Sequence, residues 1–131
     1  MAAKQFYTGA DVGAISLVLW RDQMSKATSY TVVAADNGKL FDTTGAAGAI
    51  TFTLPALARG LAFGFFNVVD QNMIVVRAGT DVIIADGNAA ATTLTYSTGS
   101  HKIGSFSLVY ANADGTKWLH ENRGATLCTV S

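Results

Sequence analysis

The sequence predicts one all-β domain built as a β-sandwich or a barrel. Short runs rich in β-branched and aromatic residues recur at roughly 8–12 residue intervals, as they do in such folds. Turn-forming Gly, Asn, Asp and Ser residues separate the runs, and no segment after residue 30 has a convincing helical pattern. The length, 131 residues, suits a single domain better than two.

The first 29 residues differ from the rest of the chain. They contain Phe6 and Tyr7, an uncharged apolar run that ends in Trp20, and then a polar stretch. Over so few residues periodicity fits a short helix and a strand equally well. We therefore expect residues 1–29 to form an arm or edge element, and residues 30–131 to form the β-sandwich domain.

The strands follow one another from residue 30 onward. The clearest places Ile50, Phe52 and Leu54 on one face and threonines on the other, and Pro55 ends it because proline cannot donate within a ladder. Residues 73–76 are apolar throughout, which predicts a strand covered on both faces. The predicted strands are residues 30–34, 39–42, 50–54, 61–65, 73–76, 81–84, 92–96, 102–110, 116–120 and 125–130.

Turns are predicted wherever Gly, Asn, Asp and Ser gather between these strands. Such residues tolerate positive φ angles or satisfy nearby backbone groups with their own side chains. The predicted turns are residues 36–38, 43–48, 86–88, 97–100, 112–115 and 121–124.

The composition is unusually poor in charge. Half of the residues are hydrophobic and 14% are charged, against about 25% charged in a typical soluble domain. An Ala- and Gly-rich sequence reaches such values without exposing large apolar patches. The alternative, which we favour, is that some apolar surface is buried between subunits.

Charge and hydropathy exclude several partner classes. The formal net charge is zero and the Lys and Arg residues are scattered, so no basic surface is predicted for nucleic acid. No unbroken apolar stretch is longer than the four residues of 17–20, which is far shorter than the roughly 20 residues that cross a bilayer. The start lacks the pattern of a secretory signal, so we expect it to be retained. The single cysteine, Cys128, has no intrachain disulfide partner, which is compatible with synthesis in the cytosol.

No catalytic or metal-binding constellation is apparent. The sequence separations between His101, His120 and Cys128 do not match those of metal ligands. Glu121 is the single glutamate, and most aspartates fall in or beside turns, where they bond local backbone groups. We predict a protein that is not an enzyme and that has no cofactor and no metal.

The tyrosines and tryptophans admit three interpretations. They fill protein cores, anchor protein interfaces, or form a stacking platform for carbohydrate. For Trp118 we expect the core or a subunit contact. The six residues are Tyr7, Trp20, Tyr30, Tyr96, Tyr110 and Trp118.

The order of motifs from Tyr30 to about Gly124 resembles a β-domain that recurs in surface proteins of tailed bacteriophages. That family places a strand, an Asp-x-Gly-Lys turn, a strand that ends in Thr-Leu-Pro, and a Gly followed by an aromatic strand, and a Gly-x-x-Trp comes near its end. The corresponding segments here are Tyr30-Thr31-Val32, Asp36-Asn37-Gly38-Lys39, Phe41, Gly48 to Pro55, Gly60-Leu61-Ala62-Phe63 and Gly115-Thr116-Lys117-Trp118.

The resemblance implies a homotrimeric β-sandwich, jelly-roll or β-tulip-like unit. Such units decorate the outside of phage heads as cement proteins, or serve as modules of tail fibres and spikes. Because fibres and spikes are usually much longer, the short chain favours a head decoration protein. We expect it on the outer capsid surface of the virion, bound to the major capsid protein and to copies of itself.

The arm departs from the shared pattern, and we expect it to carry the contacts to the capsid or to neighbouring subunits. The candidate contact residues are chosen for their apolar character: Phe6, Tyr7, Leu17, Leu19 and Trp20. Two rival hypotheses remain at this point. One is a tail-fibre or spike-associated module that binds host glycans, and the other is a small lectin or β-scaffold unrelated to virions.

Overall fold

The computed structural model describes residues 20–99, 102–123 and 128–131, and these residues form two β-sheets packed face to face. The fold is all-β and sandwich-like, as the sequence predicts. The strands are β1 (Asp22–Ser25), β2 (Tyr30–Thr31), β3 (Lys39–Asp42), β4 (Ile50–Thr53), β5 (Ala62–Phe66), β6 (Met73–Val76), β7 (Ile83–Ala85), β8 (Asn88–Ala91), β9 (Thr93–Tyr96), β10 (Phe106–Ala111), β11 (Trp118–Arg123) and β12 (Thr129–Val130).

The larger sheet has seven strands in the order β1-β3-β5-β10-β11-β7-β8, and the smaller has five in the order β12-β9-β6-β4-β2. Through β6 the chain alternates between the two sheets, and each strand runs parallel to the one two places before it. Parallel neighbours need a crossover connection. Here each crossover contains the intervening strand of the opposite sheet. The first six strands therefore form a coil in which each turn adds one strand to each sheet.

The second half closes the two sheets mainly with antiparallel strands, although β7 and β11 pair in parallel. The β10–β11 hairpin enters the larger sheet between β5 and β7, and β9 with β12 completes the smaller one. β7 and β8 are joined by Asp86-Gly87, which both have positive φ angles of 35° and 79°. Those angles match the two-residue turn that favours Asp-Gly.

The core lies between the sheets and is mostly aromatic. Phe52 of the smaller sheet contacts Phe41 and Phe65 of the larger one, with ring centroids 5.7 and 4.8 Å away. Trp118 is fully buried against Phe63 at 6.1 Å. The predicted inward face of the clearest strand is confirmed, because Ile50, Phe52 and Leu54 are all buried.

Several element boundaries differ from the prediction because tertiary pairing overrides local composition. The predicted strand over residues 30–34 keeps only two residues and then turns into a 3-10 helix, Ala34–Asp36. Residues 121–123 were predicted to lie in a turn, but they belong to β11, which pairs with β10 as far as residue 123. Asn88, predicted to lie in a turn, begins β8. β6 was predicted to be covered on both faces, but one face is only half covered, since Ile74 and Val76 are partly exposed.

The last part of the predicted arm belongs to a sheet. β1 pairs in parallel with β3 at one edge of the larger sheet, and its Asp22, Gln23 and Ser25 side chains are exposed. Polar and charged residues suit an edge strand because they discourage pairing with another chain. Residues 1–19 lie outside the described part of the chain.

Candidate interaction surface

Several side chains of types that can take part in catalysis form one cluster between the sheets. The Tyr96 hydroxyl, on β9, lies 3.1 Å from both His120 Nε2 and Asn122 Oδ1 on β11. Because β9 and β11 belong to opposite sheets, these hydrogen bonds join the two layers. Cys128, which precedes β12, is 8% exposed and lies beside Tyr96.

Burial keeps the members of this cluster uncharged. Burial raises the pKa of the Tyr96 hydroxyl well above its usual value, although a hydrogen bond with Ser107 acts in the opposite direction. It lowers the pKa of His120, against the opposing charges of Asp86 and Glu121. It also raises the pKa of the Cys128 thiol, whereas a nucleophilic cysteine needs a lowered pKa. The cluster is therefore suited to holding the sheets together.

Aspartates in the turns bond backbone groups, as predicted. The Asp36 carboxylate accepts hydrogen bonds from the Val33 N–H at 3.1 Å, the Tyr30 hydroxyl at 2.8 Å and Lys39 Nζ at 3.0 Å. Burial opposes ionisation of Asp36, but these donors outweigh it and hold its pKa below the usual value. Asp81 accepts from the Leu57 N–H at 3.0 Å. Among the described residues, no group of three or more His, Cys, Asp or Glu side chains could hold a metal ion.

An apolar surface covers part of the outer face of the larger sheet. Phe63 and Phe65 of β5 point into the core, so the alternation of the strand turns Gly64 and Phe66 outward. Phe66 pairs with Phe106 of β10, and their ring centroids are 6.0 Å apart. We call the outward-facing set, together with the side chains packed on it, the outer patch: Trp20, Leu40, Gly64, Phe66 and Phe106.

Trp20 lies directly on this patch. Its ring meets that of Phe106 edge-on, with centroids 6.2 Å apart and planes at 76°. A Cβ atom at Gly64 would overlap the Trp20 ring, so glycine provides the space that the indole occupies. Leu108, on the same face, is only 6% exposed although it is outside the inter-sheet core.

The outer face of the smaller sheet has a different chemistry. Its exposed rows consist mainly of threonines from β4 and β9, with Ile74 and Val76 of β6 between them. These side chains are uncharged but carry hydroxyl groups on most strands. The aromatic character is therefore confined to the outer face of the larger sheet.

Trp20 is the one predicted contact residue that falls within the described chain, and it lies at the outer patch. Phe6, Tyr7, Leu17 and Leu19 lie outside the described residues. Sequence reasoning missed Phe66 and Phe106. A signal for Phe66 was present, because two consecutive phenylalanines in a strand must face opposite sides.

The other aromatic residues are engaged within the domain. Tyr96 and Trp118 are buried, which confirms a core position for Trp118. The Tyr30 hydroxyl donates to Asp36, and Lys26 Nζ lies 3.7 Å from the centre of the Tyr30 ring. The Tyr110 hydroxyl donates to Glu121 at 2.7 Å.

Among the residues that the structure describes, none of the helices has the length and hydropathy of a membrane-spanning segment. Comparison of the chain with protein-family models, with curated proteins and with solved structures found no match in any of the three.

Proposed function

We propose that this chain is a structural virion protein that decorates the outside of a bacteriophage head. In this role a homotrimer binds the major capsid protein and bridges neighbouring shell subunits. The observation that carries the proposal is the outer patch, an aromatic surface on which Trp20 packs against Phe106 and Gly64. The order of motifs shared with phage surface domains supports the same role.

The architecture suits a protein that joins other chains. Two sheets closed over an aromatic core present two broad outer faces to partners. On the larger sheet, Asp42 is the register partner of Phe66 and Glu121 that of Leu108, so charged residues border the outer patch. Aromatic residues are enriched at the energetically important centres of protein interfaces. Low charge removes much of the desolvation cost that charged groups would add at such a contact.

Decoration has a simple thermodynamic basis. A ligand that binds only the assembled, expanded shell stabilises it by mass action. Repeated sites on the lattice allow a symmetric trimer to engage several subunits at once, which increases avidity without new kinds of contact. No step of this role requires catalysis, so we propose that the protein is not an enzyme.

Burial removes two of the described aromatic residues from the glycan-binding alternative, which would have to use the outer patch. A carbohydrate platform needs exposed aromatic faces, whereas Tyr96 and Trp118 are buried in the core. The hydroxyls of Tyr30 and Tyr110 donate to carboxylates of the chain itself.

Binding to purified heads tests the proposal. The full chain is mixed with expanded heads that lack it, and bound protein is measured by co-sedimentation. We expect saturable binding by a species that light scattering identifies as a trimer. We expect a Trp20→Ser, Phe66→Ser variant to bind at least tenfold more weakly.

The matched control is Val33→Ser, because Val33 is a large exposed hydrophobic residue outside the outer patch, with 47% of its surface accessible. This variant should bind like the natural chain. Failure of the natural chain to bind heads, combined with saturable binding to host surface polysaccharide, would contradict the decoration role.

A further inference from the structure

The outer face of the smaller sheet carries a β-branched side chain at every outward position of its strands. The inward positions of the same strands lie in the core or pack against it, so alternation turns the others outward. We call this outward-facing set the threonine face. The strand register arranges it in two rows across the sheet: Thr31, Thr53, Val76 and Thr93 form one, and Thr51, Ile74, Thr95 and Thr129 form the other.

The threonine face has no charged side chain among the strand positions that the structure describes. Thr31 and Thr129, at its margins, are exposed, and the other members are partly exposed. The outer face of the larger sheet differs, because Asp42 and Glu121 interrupt it. Faces that meet only water usually carry charged residues of both signs. The threonine face is therefore better suited to contact with protein.

Covering the threonine face costs little side-chain entropy. Threonine, valine and isoleucine are restricted about χ1 by their branched Cβ atoms, so they have few rotamers to lose on burial. Ile74 and Val76 lie on β6, the central strand of the sheet, and threonines surround them. This arrangement matches a protein interface, in which an apolar centre has a polar rim.

The chemistry of the threonine face makes it complementary to itself. A threonine hydroxyl both donates and accepts hydrogen bonds, so a second copy of the face supplies a partner for each of these groups. The chain has a formal net charge of zero, and two copies therefore approach without long-range repulsion. A charged partner would instead bury charges that find no opposite charge on this face, which is unfavourable.

The two outer faces of the sandwich point in opposite directions, since each belongs to a different sheet. Contact between copies through the smaller sheet therefore leaves the outer patch on the larger sheet uncovered. The two surfaces can act at the same time.

We propose that copies of this chain contact one another through the threonine face. Ile74 and Val76 form the centre of the contact, and the threonines bond to one another around them. This inference rests on the proposed function only for the number of copies, which is three if the chain decorates a head as a homotrimer. The contact itself forms in solution without a capsid.

Analytical ultracentrifugation of the purified full chain tests the proposal. Ile74→Lys places a charge at the centre of the face, where assembly would bury it or bring like charges together. We expect the natural chain to sediment as an oligomer, and Ile74→Lys to weaken the association by roughly a hundredfold or more. The matched control is Ile84→Lys, which should associate like the natural chain. Ile84 is also a partly exposed isoleucine, but it lies on the outer face of the larger sheet.

Circular dichroism establishes whether each variant keeps the β-fold. If Ile74→Lys does not fold, Thr95→Lys replaces it, because Thr95 is the register partner of Ile74 on β9. We expect this variant to dissociate the oligomer as well.

Three results would overturn the proposal. A natural chain that remains a monomer at every concentration would mean that the copies do not associate. Folded Ile74→Lys and Thr95→Lys variants that assemble like the natural chain would place the contact elsewhere. Equal dissociation by Ile84→Lys would mean that added charge acts without regard to the face.

Failure of the proposed function gives different results. A dimer that Ile74→Lys dissociates would support the threonine face and contradict the homotrimer. An oligomer that depends on the threonine face but does not bind heads would support the inference and contradict the decoration role.

Discussion

Phe52 joins the two sheets within the aromatic core. It comes from the smaller sheet, is fully buried, and contacts two phenylalanine rings of the larger sheet. Its position was predictable from the sequence, because alternating Ile50, Phe52 and Leu54 define one face of a strand. The identity of its aromatic partners was not predictable, because they lie in strands whose pairing depends on the whole topology.

Truncating Phe52 should leave a cavity between the sheets. We predict that Phe52→Ala lowers the free energy of unfolding by about 3–5 kcal/mol, the usual cost of removing a buried phenylalanine ring. Chemical denaturation measures the change. A loss below about 1 kcal/mol would contradict the core position assigned to this ring.

His120 gives the domain a pH-dependent stability. Its pKa is lowered in the fold, mainly by burial, whereas an unfolded histidine titrates near its ordinary value of about 6.5. As the pH falls below that value, the unfolded chain takes up a proton that the folded chain resists. The stability contributed by neutral His120 is therefore fully present above the ordinary pKa and is lost progressively as the pH falls.

We predict a steeper fall in unfolding free energy between pH 7 and pH 5 (about the range in which histidine titrates) for the natural chain than for His120→Gln. His101 is present in both proteins, so its own titration cancels in the comparison. Parallel stability curves for the two proteins would show that His120 titrates alike in the folded and unfolded chains.

At the level of single elements, β5 explains how one strand serves both the core and the surface. Phe63 and Phe65 face inward, while Gly64 and Phe66 face outward. Gly64 does not have a positive φ angle, so its role is steric: the missing side chain leaves room for Trp20.

Gly64→Ala should displace the indole of Trp20 into water. We predict a red shift of tryptophan emission, because the only other tryptophan, Trp118, is fully buried and should not change. Gly48→Ala is the control, since a Cβ atom there meets no other atom within 4 Å. Unchanged emission of the Gly64 variant would contradict the position of Trp20 on the patch.

The elements that sequence reasoning missed have physical explanations. β1 contains Asp and Ser and the end of β11 contains Asn, which are typical of turns. In β11, pairing with β10 and the hydrogen bond from Tyr96 to Asn122 hold such residues in a strand. By contrast, the Asp86-Gly87 turn was predictable because its positive φ angles favour those two residues.

At the scale of the whole molecule, the sequence predicts an all-β sandwich but not its winding. The strand pattern indicates where the strands lie, and their apolar faces indicate that two layers must pack together. The alternation of strands between the two sheets depends on which strands pair across 20 or so residues. The outer patch depends on the same pairing, because β5, β10 and Trp20 form it jointly.

The proposed function links these features to a role on a particle. An aromatic core holds the two sheets together, the outer patch provides an aromatic contact surface, and Trp20 packs on that surface. A head decoration protein needs all three, together with a copy number that matches a lattice of shell subunits.

That copy number is the most direct test of the central claim. Quantitative mass spectrometry of purified phage particles measures the protein against the major shell protein. We predict a ratio close to one protein chain for each shell subunit, as expected for trimers distributed over the lattice. A ratio far below that would place the protein on the tail or a single vertex, and would contradict the decoration role.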